Sequence, residues 1–389
     1  MTESAVVYTS VPDAVAAARE LDEKIRARLG GGPADAIVLF AAPTYDQRAL
    51  LAELSRRTSP SLLVGASSAG ELTHEMRGEG MACALAVRSR ALRFSAAVGR
   101  GLSVSAGGAA KQLAAGFQGN APGRSHLHKA ALVMTDALAG HADELVDQLT
   151  VETSGAYQFF GGGAGDNAQF SRTTVFYKDQ VLTDAVVALE ILSEKPIGVG
   201  VGHGWVPASK PMRVTGADGM RLLSLNGLPA ADLIAAHAEQ TGQKLDRAAP
   251  IPYFLHNIIG IETSTGHRLR VPLAINADGS VLCASEVPAG SVVYFMKTDI
   301  DSAAEAARRA AQSAVSGLQG EKPQVGFFFD CVATRLRMGD VFGLELEKVT
   351  EALGDTAYLG CNTHGQIARA PGQFGGFHNC TAVVCVLPQ

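Results

Sequence analysis

The sequence predicts an α/β fold, with mixed sheets covered by helices, and three observations carry that expectation. First, three glycine-centred segments, GASSAGEL (65–72), GGGAGDNA (161–168) and GCNTHGQI (360–367), each end an apolar, strand-like run. Second, another such run lies upstream of each across a helix-length interval: AIVLFAAPTYD (36–46), AALVMTDALAG (130–140) and VGFFFDCVATR (325–335). Third, the order strand–helix–strand–strand–strand occurs twice in the first 195 residues, over about 30–100 and 128–195. That recurrence points to an internal duplication, with the third set an abbreviated copy. Glycines at strand ends permit unusual backbone angles and bring bare amides close to a ligand.

The elements follow from periodicity and punctuation. Residues 12–29 carry apolar positions at helical spacing (Ala14, Ala17, Ala18, Leu21, Ile25, Leu29), with Ser10 as the expected cap and GGGP at 30–33 as the stop. A strand is expected at 37–41, a helix at 47–57 and a strand at 62–66. Residues 82–88 and 92–98, split by a polar turn, read as a meander. The second set comprises a small-residue helix near 105–117, a strand at 130–134, a helix near 141–150 and strands at 158–161, 173–177 and 185–192.

Residues 196–300 break the rhythm. They hold the glycine-rich PIGVGVGHGWVP with the only tryptophan, then an Asn-Gly turn signal and a proline that opens a helix. The stretch from Arg268 to Asp299 reads as three strands joined by an Asp-Gly hairpin and an Ala-Gly turn. A helix at 301–316, capped by Asp301 or Ser302, leads to the third set, which contains a helix near 341–353 and closes on the strand 380–387. The chain divides into two domains, 1–210 and 211–389.

Composition excludes several classes. Apolar residues make up 47%, charged residues 18%, and the net charge is −5, which fits a well-buried globular protein and gives no reason to expect nucleic acid. The N-terminus lacks a signal-peptide pattern, and the apolar runs are too short to span a bilayer, so a cytoplasmic location without membrane contact is expected. Six cysteines without a CxxC pair read as buried free thiols. There is no GxxxxGK[ST], GGGAGD does not satisfy GxGxxG, and GASSAG is one residue too long for a nucleophile elbow.

Taken in order, VLFAAPTYD, VGASSAGEL, FFGGGAGDN with TTVFYKD, and DAVVALEI resemble the N-terminal part of the FIST proteins, a bacterial sensory family. LNGLPAADL, FFFDCVATR, YLGCNTHGQI and FHNCTAVVCVL resemble the C-terminal part, and the two together cover nearly the whole chain. The resemblance implies a signal-input module that binds a small, amino-acid-like ligand, and some members resemble haem-dependent nitric oxide sensors. The chain ends on what reads as a core strand, so a signal is expected to pass to a separate partner, such as a histidine kinase or a cyclic-dinucleotide enzyme. One departure stands out: the C-terminal turn usually reads more like Tyr-Gly-Glu, where this chain has His364-Gly365-Gln366.

The candidate site gathers polar residues around the glycine turns. Ser67, Ser68, Gly162, Gly163, Asp166, Asn167, Asn362 and Thr363 would together hold a carboxylate or amino group; the alternative is that the glycines only make tight turns between strands. Arg335 supplies a planar, bidentate guanidinium beside Asp330 and Cys331, unless it is merely paired with Asp330. His203, His364 and Asn379 complete the set of ligand candidates. No cofactor is expected; a haem alternative would use His203, His364 or His378, each of which reads equally as a structural histidine. His126 and His128 belong to a polar connection after a Pro-Gly turn. A cysteine-dependent hydrolase would pair Cys331 with His364 or His378, but no catalytic motif is complete, so the chain does not read as an enzyme. Cys380 and Cys385, five apart in one strand, would face opposite sides.

Overall fold

A computed structural model describes residues 2–60, 62–121, 127–370, 372–373 and 375–389. The first set runs β1 (Thr2–Thr9), α1 (Ala14–Arg28), β2 (Ala36–Ala41), α2 (Gln47–Thr58), β3 (Leu62–Ser67), β4 (Glu71–Thr73), β5 (Arg77–Gly78) and β6 (Ala82–Ser89). The second repeats that order with β7 (Leu92–Arg100), α3 (Ala106–Gly116), β8 (His128–Thr135), α4 (Ala142–Glu152), β9 (Gln158–Gly163), β10 (Val175–Tyr177), β11 (Gln180–Leu182) and β12 (Ala185–Ser193). The third opens with β13 (Gly198–Gly202).

An inserted unit then follows. It contains β14 (Val206–Pro207), β15 (Met212–Asp218), β16 (Arg221–Leu225), β17 (Leu228–Pro229), α5 (Ala230–Gln240), α6 (Ile251–Phe254), β18 (Ile258–Thr263), β19 (Gly266–Arg270), β20 (Pro272–Ile275), β21 (Val281–Cys283) and β22 (Val292–Lys297). The third set resumes with α7 (Ile300–Ser316), β23 (Pro323–Cys331), α8 (Val332–Met338), α9 (Gly343–Leu353), β24 (Tyr358–Thr363), β25 (Gln366–Arg369), β26 (Gly376–His378) and β27 (Ala382–Pro388).

Three six-stranded sheets share one strand order: β1-β6-β2-β3-β10-β11, β7-β12-β8-β9-β25-β26 and β13-β27-β23-β24-β4-β5. In each, one parallel pair (β2/β3, β8/β9, β23/β24) is flanked by antiparallel strands. The two strands that follow each glycine turn leave their own set and complete a neighbour's sheet: β4-β5 go to the third, β25-β26 to the second, and β10-β11 to the first. This cyclic exchange brings the three glycine turns together. The third set is therefore not abbreviated; its sheet has as many strands as the others. Residues 206–297 form a separate nine-stranded sheet inserted between β13 and α7, and the shared sheets bridge the 210/211 division.

Each sheet turns one face to a common core, where Phe40, Phe160, Phe327 and Phe329 meet, and packs the other against its own helices. Phe40 and Phe329 lie edge to face at 5.6 Å, and Phe160 and Phe327 are 5.3 Å apart. Glycine is required at one matching place in each parallel pair. A Cβ on Gly65, Gly161 or Gly360 would meet the carbonyl oxygen of Leu39, Val133 or Phe328 at 1.8, 2.1 or 2.0 Å. On the third sheet, the alanine face of α7 lies so close that a Cβ on Gly198 would sit 1.7 Å from the Ala314 carbonyl oxygen. The glycine-rich run that broke the rhythm of the sequence is a strand chosen for this contact.

Several expectations need correction. The strand β1 precedes α1, so Ser10 falls in the connection and Asp13 caps the helix, accepting the Ala16 N–H at 2.8 Å. Likewise Asp299, not Asp301 or Ser302, caps α7 by accepting the Ser302 N–H at 2.7 Å. Strands β6 and β7 form no meander, because the chain crosses from one sheet to the next between them. Nor do the segments after Arg268 form one three-stranded set: β20 and β21 pair, while β22 pairs with β14, β15 and β18. The Asn226-Gly227 turn does join β16 to β17, with φ of 49° and 81°. Residue 126, part of the expected polar loop, lies outside the described residues; His128 begins β8. No described helix is long and apolar enough to cross a membrane.

Candidate functional site

The three glycine turns do converge, but they spend their amides on one another. Ala69 N–H donates to the Asn362 carbonyl at 3.0 Å, and Asn362 N–H returns a bond to Gly70 at 2.8 Å. His364 N–H donates to Gly163 at 3.0 Å, Gly163 N–H to Gly365 at 2.9 Å, and Gly165 N–H to Ser67 at 2.9 Å. The expected cradle of bare amides is thus a closed junction, since a donor already paired has little left for a ligand.

The polar side chains at this junction divide by whether their bonds are filled. Ser67 Oγ accepts the Thr174 N–H at 3.0 Å. Ser68 donates to Glu71, whose second oxygen accepts the Met81 N–H at 2.9 Å. Burial pushes the Glu71 carboxyl up to about 7, against the pull of those donors and of Arg335. Thr363 Oγ1 donates to the Asp330 carbonyl at 3.3 Å and accepts from Gln366 Nε2 at 2.8 Å. Asp166 takes the N–H groups of Phe170, Ser171 and Arg172 at 3.0, 2.7 and 3.0 Å. Gly162 and Gly163 pack against Thr363 and Ala137, and Asn167 turns the chain at φ 57°. These bonds build the junction; Asn167 Oδ1 has no hydrogen-bond partner among the described residues, and Asp166 also borders a cavity of about 540 Å³.

Two cavities border α8, and Leu336 lines both. The first, about 350 Å³, is polar and lies at the seam where β4-β5 of the first set join β24 of the third. Asn362, Arg335, Arg77, Glu79 and Asp340 line it. Asn362 is fully buried, and neither its Oδ1 nor its Nδ2 has a hydrogen-bond partner among the described residues. Arg335 pairs with Glu79, not with Asp330, and its Nε is also without a partner among the described residues. The Arg335 side chain is 13% exposed and that of Glu79 59%, so an exposed surface carboxylate pairs with a largely enclosed guanidinium. Asp330 instead lies against Glu345 and Thr334, and burial holds its carboxyl well above the usual range.

The second cavity, about 250 Å³, is an apolar cleft between the three-sheet body and the inserted sheet. Leu138, Phe170, Leu273, Leu282 and Leu336 are among its walls, and none of its lining residues is charged. Cys331, Cys283, His364 and Asn379 supply its polar atoms. Hydrogen bonds, first from the Cys380 thiol and then from the Cys380 and Ala333 N–H groups and Gln366, bring the Cys331 thiol down to about 6 despite its burial. Burial pushes Cys283 the other way, up to about 12, with Arg270 opposing. Cys380 precedes β27 with φ 49°, facing Cys331, while Cys385 lies within the strand in the common core. The two cysteines are thus separated by the end of a strand rather than by its alternation.

Histidines that sequence left equivalent prove different. His364 stacks on Phe170 at 4.5 Å with its Nε2 3.3 Å from Asp166 Oδ1, and burial pulls it down to about 4 against the pull of Asp166. His203 Nε2 lies 3.1 Å from the His267 carbonyl, and its Nδ1 accepts the Trp205 N–H at 3.3 Å. His378 is fully enclosed in β26, where burial, Arg268, Arg270 and His203 all disfavour its charged form. Only His364 of the three lines the apolar cleft, while His378 is fully enclosed and both ring nitrogens of His203 face backbone groups, so the residues present do not fit a haem. Among the described residues, no group of three or more His, Cys, Asp or Glu side chains is arranged to hold a metal ion.

The sequence reading missed α8, the element that places Arg335 on one cavity and, directly after Cys331 at the end of β23, Val332 and Ala333 on the other. It also missed Asn379 as a structural acceptor: its Oδ1 takes the Val271 N–H at 3.2 Å and so ties the inserted sheet to the third set. The run FFFDCVATR carried the signal for α8, since its strand-like residues give way to Val332-Ala333-Thr334-Arg335-Leu336-Arg337, which contains no helix breaker.

Comparison with known proteins agrees with this architecture in extent. An uncharacterized protein of Mycobacterium tuberculosis (strain H37Rv) is 25% identical over 387 residues, 97% of each chain. An uncharacterized protein of Mycobacterium bovis is 24% identical over 400 residues, 96% of this chain and 95% of its own. Among solved structures, a cyanuric acid hydrolase from A. caulinodans covers all of both chains at 9% identity, but a TM-score of 0.35 is too low to bear on fold or function. Residues 35–228 match the model of the FIST N domain and residues 230–369 that of the FIST C domain. The chain belongs to the FIST family, with an N-terminal and a C-terminal FIST domain.

Proposed function

We propose that this chain is a cytoplasmic sensory protein that binds a small carboxylate, amino acids included, in the polar cavity beside α8. The observation that carries the reading is Asn362, a fully buried carboxamide with both ends unpartnered among the described residues, facing a cavity that also holds Arg335. Burying an amide without partners costs several kcal/mol relative to water, roughly 1–3 by mutational measures, so a ligand that fills those bonds recovers it. A carboxylate would replace Glu79 on Arg335, at little cost because a surface ion pair contributes roughly 0–1 kcal/mol. An ammonium group on the same ligand would find Glu79 and Asn362 Oδ1 nearby.

The cavity lies where strands of two sets meet, so filling it would draw β4-β5 and α8 together and alter a surface read by a separate signalling partner. A thermal-shift screen with amino acids and small monocarboxylates tests the reading. The expected result is a raised melting temperature for some of them, lost in Arg335→Ala. A response unchanged in that variant removes Arg335 from the site.

A further inference from the structure

The apolar cleft between the body and the inserted sheet has an apolar mouth as well as apolar walls. Leu138, Phe170, Leu336, Met220 and Ile251 all line it, and each is between 40% and 46% exposed. Leu138 and Phe170 come from the second set, Leu336 from α8, and Met220 and Ile251 from the inserted unit. Exposed apolar side chains scattered singly are ordinary, but five around one opening mark a place that receives an apolar body. Leu336 apart, none of the cleft's lining residues borders the polar cavity. We propose that the cleft binds an uncharged, mainly hydrocarbon alcohol, whose hydroxyl group donates a hydrogen bond to His364 Nδ1.

His364 is 7% exposed and stacks on Phe170 in the cleft wall. Burial keeps it neutral near pH 7, so its ring carries one proton. Asp166 Oδ1 lies 3.3 Å from Nε2 and does not line the cleft, which places that proton on Nε2 and leaves Nδ1 as an acceptor. Nδ1 is buried and has no hydrogen-bond partner among the described residues. An acceptor buried without a donor is costly, and a ligand that supplies the donor recovers the difference.

The other polar atoms of the cleft narrow the ligand further. Asn379 Oδ1 accepts the Val271 N–H at 3.2 Å, and its Nδ2 donates to the His378 carbonyl at 3.4 Å, so both ends of that amide are engaged. Cys331 and Cys283 offer only thiols, which are weak in either role. No lining residue is charged, which disfavours an ammonium or carboxylate group on the ligand. An amide would bring a carbonyl and a second N–H that find no strong partner there. A hydroxyl group brings one donor for Nδ1, and a thiol S–H can meet its oxygen. Because the walls come from both the body and the inserted sheet, a bound alcohol would fasten one to the other.

Calorimetric titration of the full chain with 1-octanol and with its isomer 1-methoxyheptane tests the proposal. The two compounds contain the same atoms and have nearly the same length, but the ether has no donor. The expected result is that 1-octanol binds about tenfold more tightly, as one hydrogen bond to a buried acceptor requires. In His364→Phe, which keeps an apolar ring against Phe170, that preference should fall to about twofold or less while the ether still binds. Met220→Glu sets a charge at the exposed mouth, in the turn between β15 and β16, and should weaken both compounds about tenfold without unfolding the chain. Should His364→Phe fail to fold, the isomer ratio in the unaltered protein and the response of Met220→Glu decide. No binding of 1-octanol, equal affinity for the two isomers, a preference retained in folded His364→Phe, or undiminished binding in Met220→Glu would each overturn the proposal.

Discussion

Gln366 occupies in the third set the place that Glu71 occupies in the first. Each lies six positions after the glycine of its parallel pair, Gly360 or Gly65. Glu71 meets the Ser68 hydroxyl and accepts the Met81 N–H at 2.9 Å; Gln366 meets the Thr363 hydroxyl at 2.8 Å and accepts the Thr381 N–H at 3.2 Å. The departure from a Tyr-Gly-Glu pattern therefore leaves the local scaffold intact. What changes is the charge beside Cys331, because Gln366 also donates toward that sulfur.

Gln366→Glu should accordingly raise the Cys331 thiol pKa by about one unit or more, by replacing a donor with an acceptor that carries negative charge when ionised. The pH dependence of alkylation at Cys331 measures this directly. An unmoved midpoint would mean that the other donors alone hold the thiolate.

Glu71 should make the protein less stable as pH rises. Its folded-state pKa of about 7 exceeds the unfolded value, so its protonated form is favoured on folding. The contribution is fully present below about pH 4.5 and is lost as pH rises through 7, amounting to about 3 kcal/mol across that interval. Denaturant titrations of the unaltered protein and Glu71→Gln at pH 4.5 and pH 8 should show this difference shrink in the variant, which keeps the Met81 bond without ionising.

Gly360→Ala should cost about 3 kcal/mol or more, since its Cβ would lie 2.0 Å from the Phe328 carbonyl oxygen inside a parallel pair. Gly354→Ala, at φ +59° with nothing within 4 Å, should cost only about 1 kcal/mol through backbone strain. Thermal unfolding of the two variants distinguishes close approach from conformation as the reason for glycine.

Asp143 on α4 holds the inserted sheet to the body through Arg268 at 3.1 Å and Arg270 at 2.6 Å. Arg270 is only 1% exposed, so Asp143→Ala would strand a buried cation at a cost of about 3–5 kcal/mol. Chemical denaturation should show that loss, and Cys283, at the same interface, should become more accessible to maleimides.

Individual elements were legible in the sequence because periodicity is local. The helix of residues 14–28, the strand pairs around the glycine turns and the Asn226-Gly227 hairpin all follow from spacing and turn chemistry. The exchange of β4-β5, β10-β11 and β25-β26 was not legible, because the pairing of a two- to four-residue strand is decided by tertiary contacts rather than by its own residues. The site divides similarly. Arg335, Asn362, Cys331 and His364 stood out as chemistry near glycine turns, yet only the fold separates them into a polar and an apolar cavity bordering α8. Asp330 was expected beside Arg335, five residues on, but the start of α8 carries the two side chains apart, to Glu345 and Glu79.

Calorimetric titration of the carboxylate that gives the largest thermal shift, against the unaltered protein, Arg335→Ala and Asn362→Leu, tests the central claim most directly. The expected result is measurable binding to the unaltered protein and at least about a tenfold loss in each variant, as removing a charged or buried hydrogen-bond partner requires. Undiminished affinity in both variants, each shown to be folded by its melting curve, would contradict a ligand seated between Arg335 and Asn362.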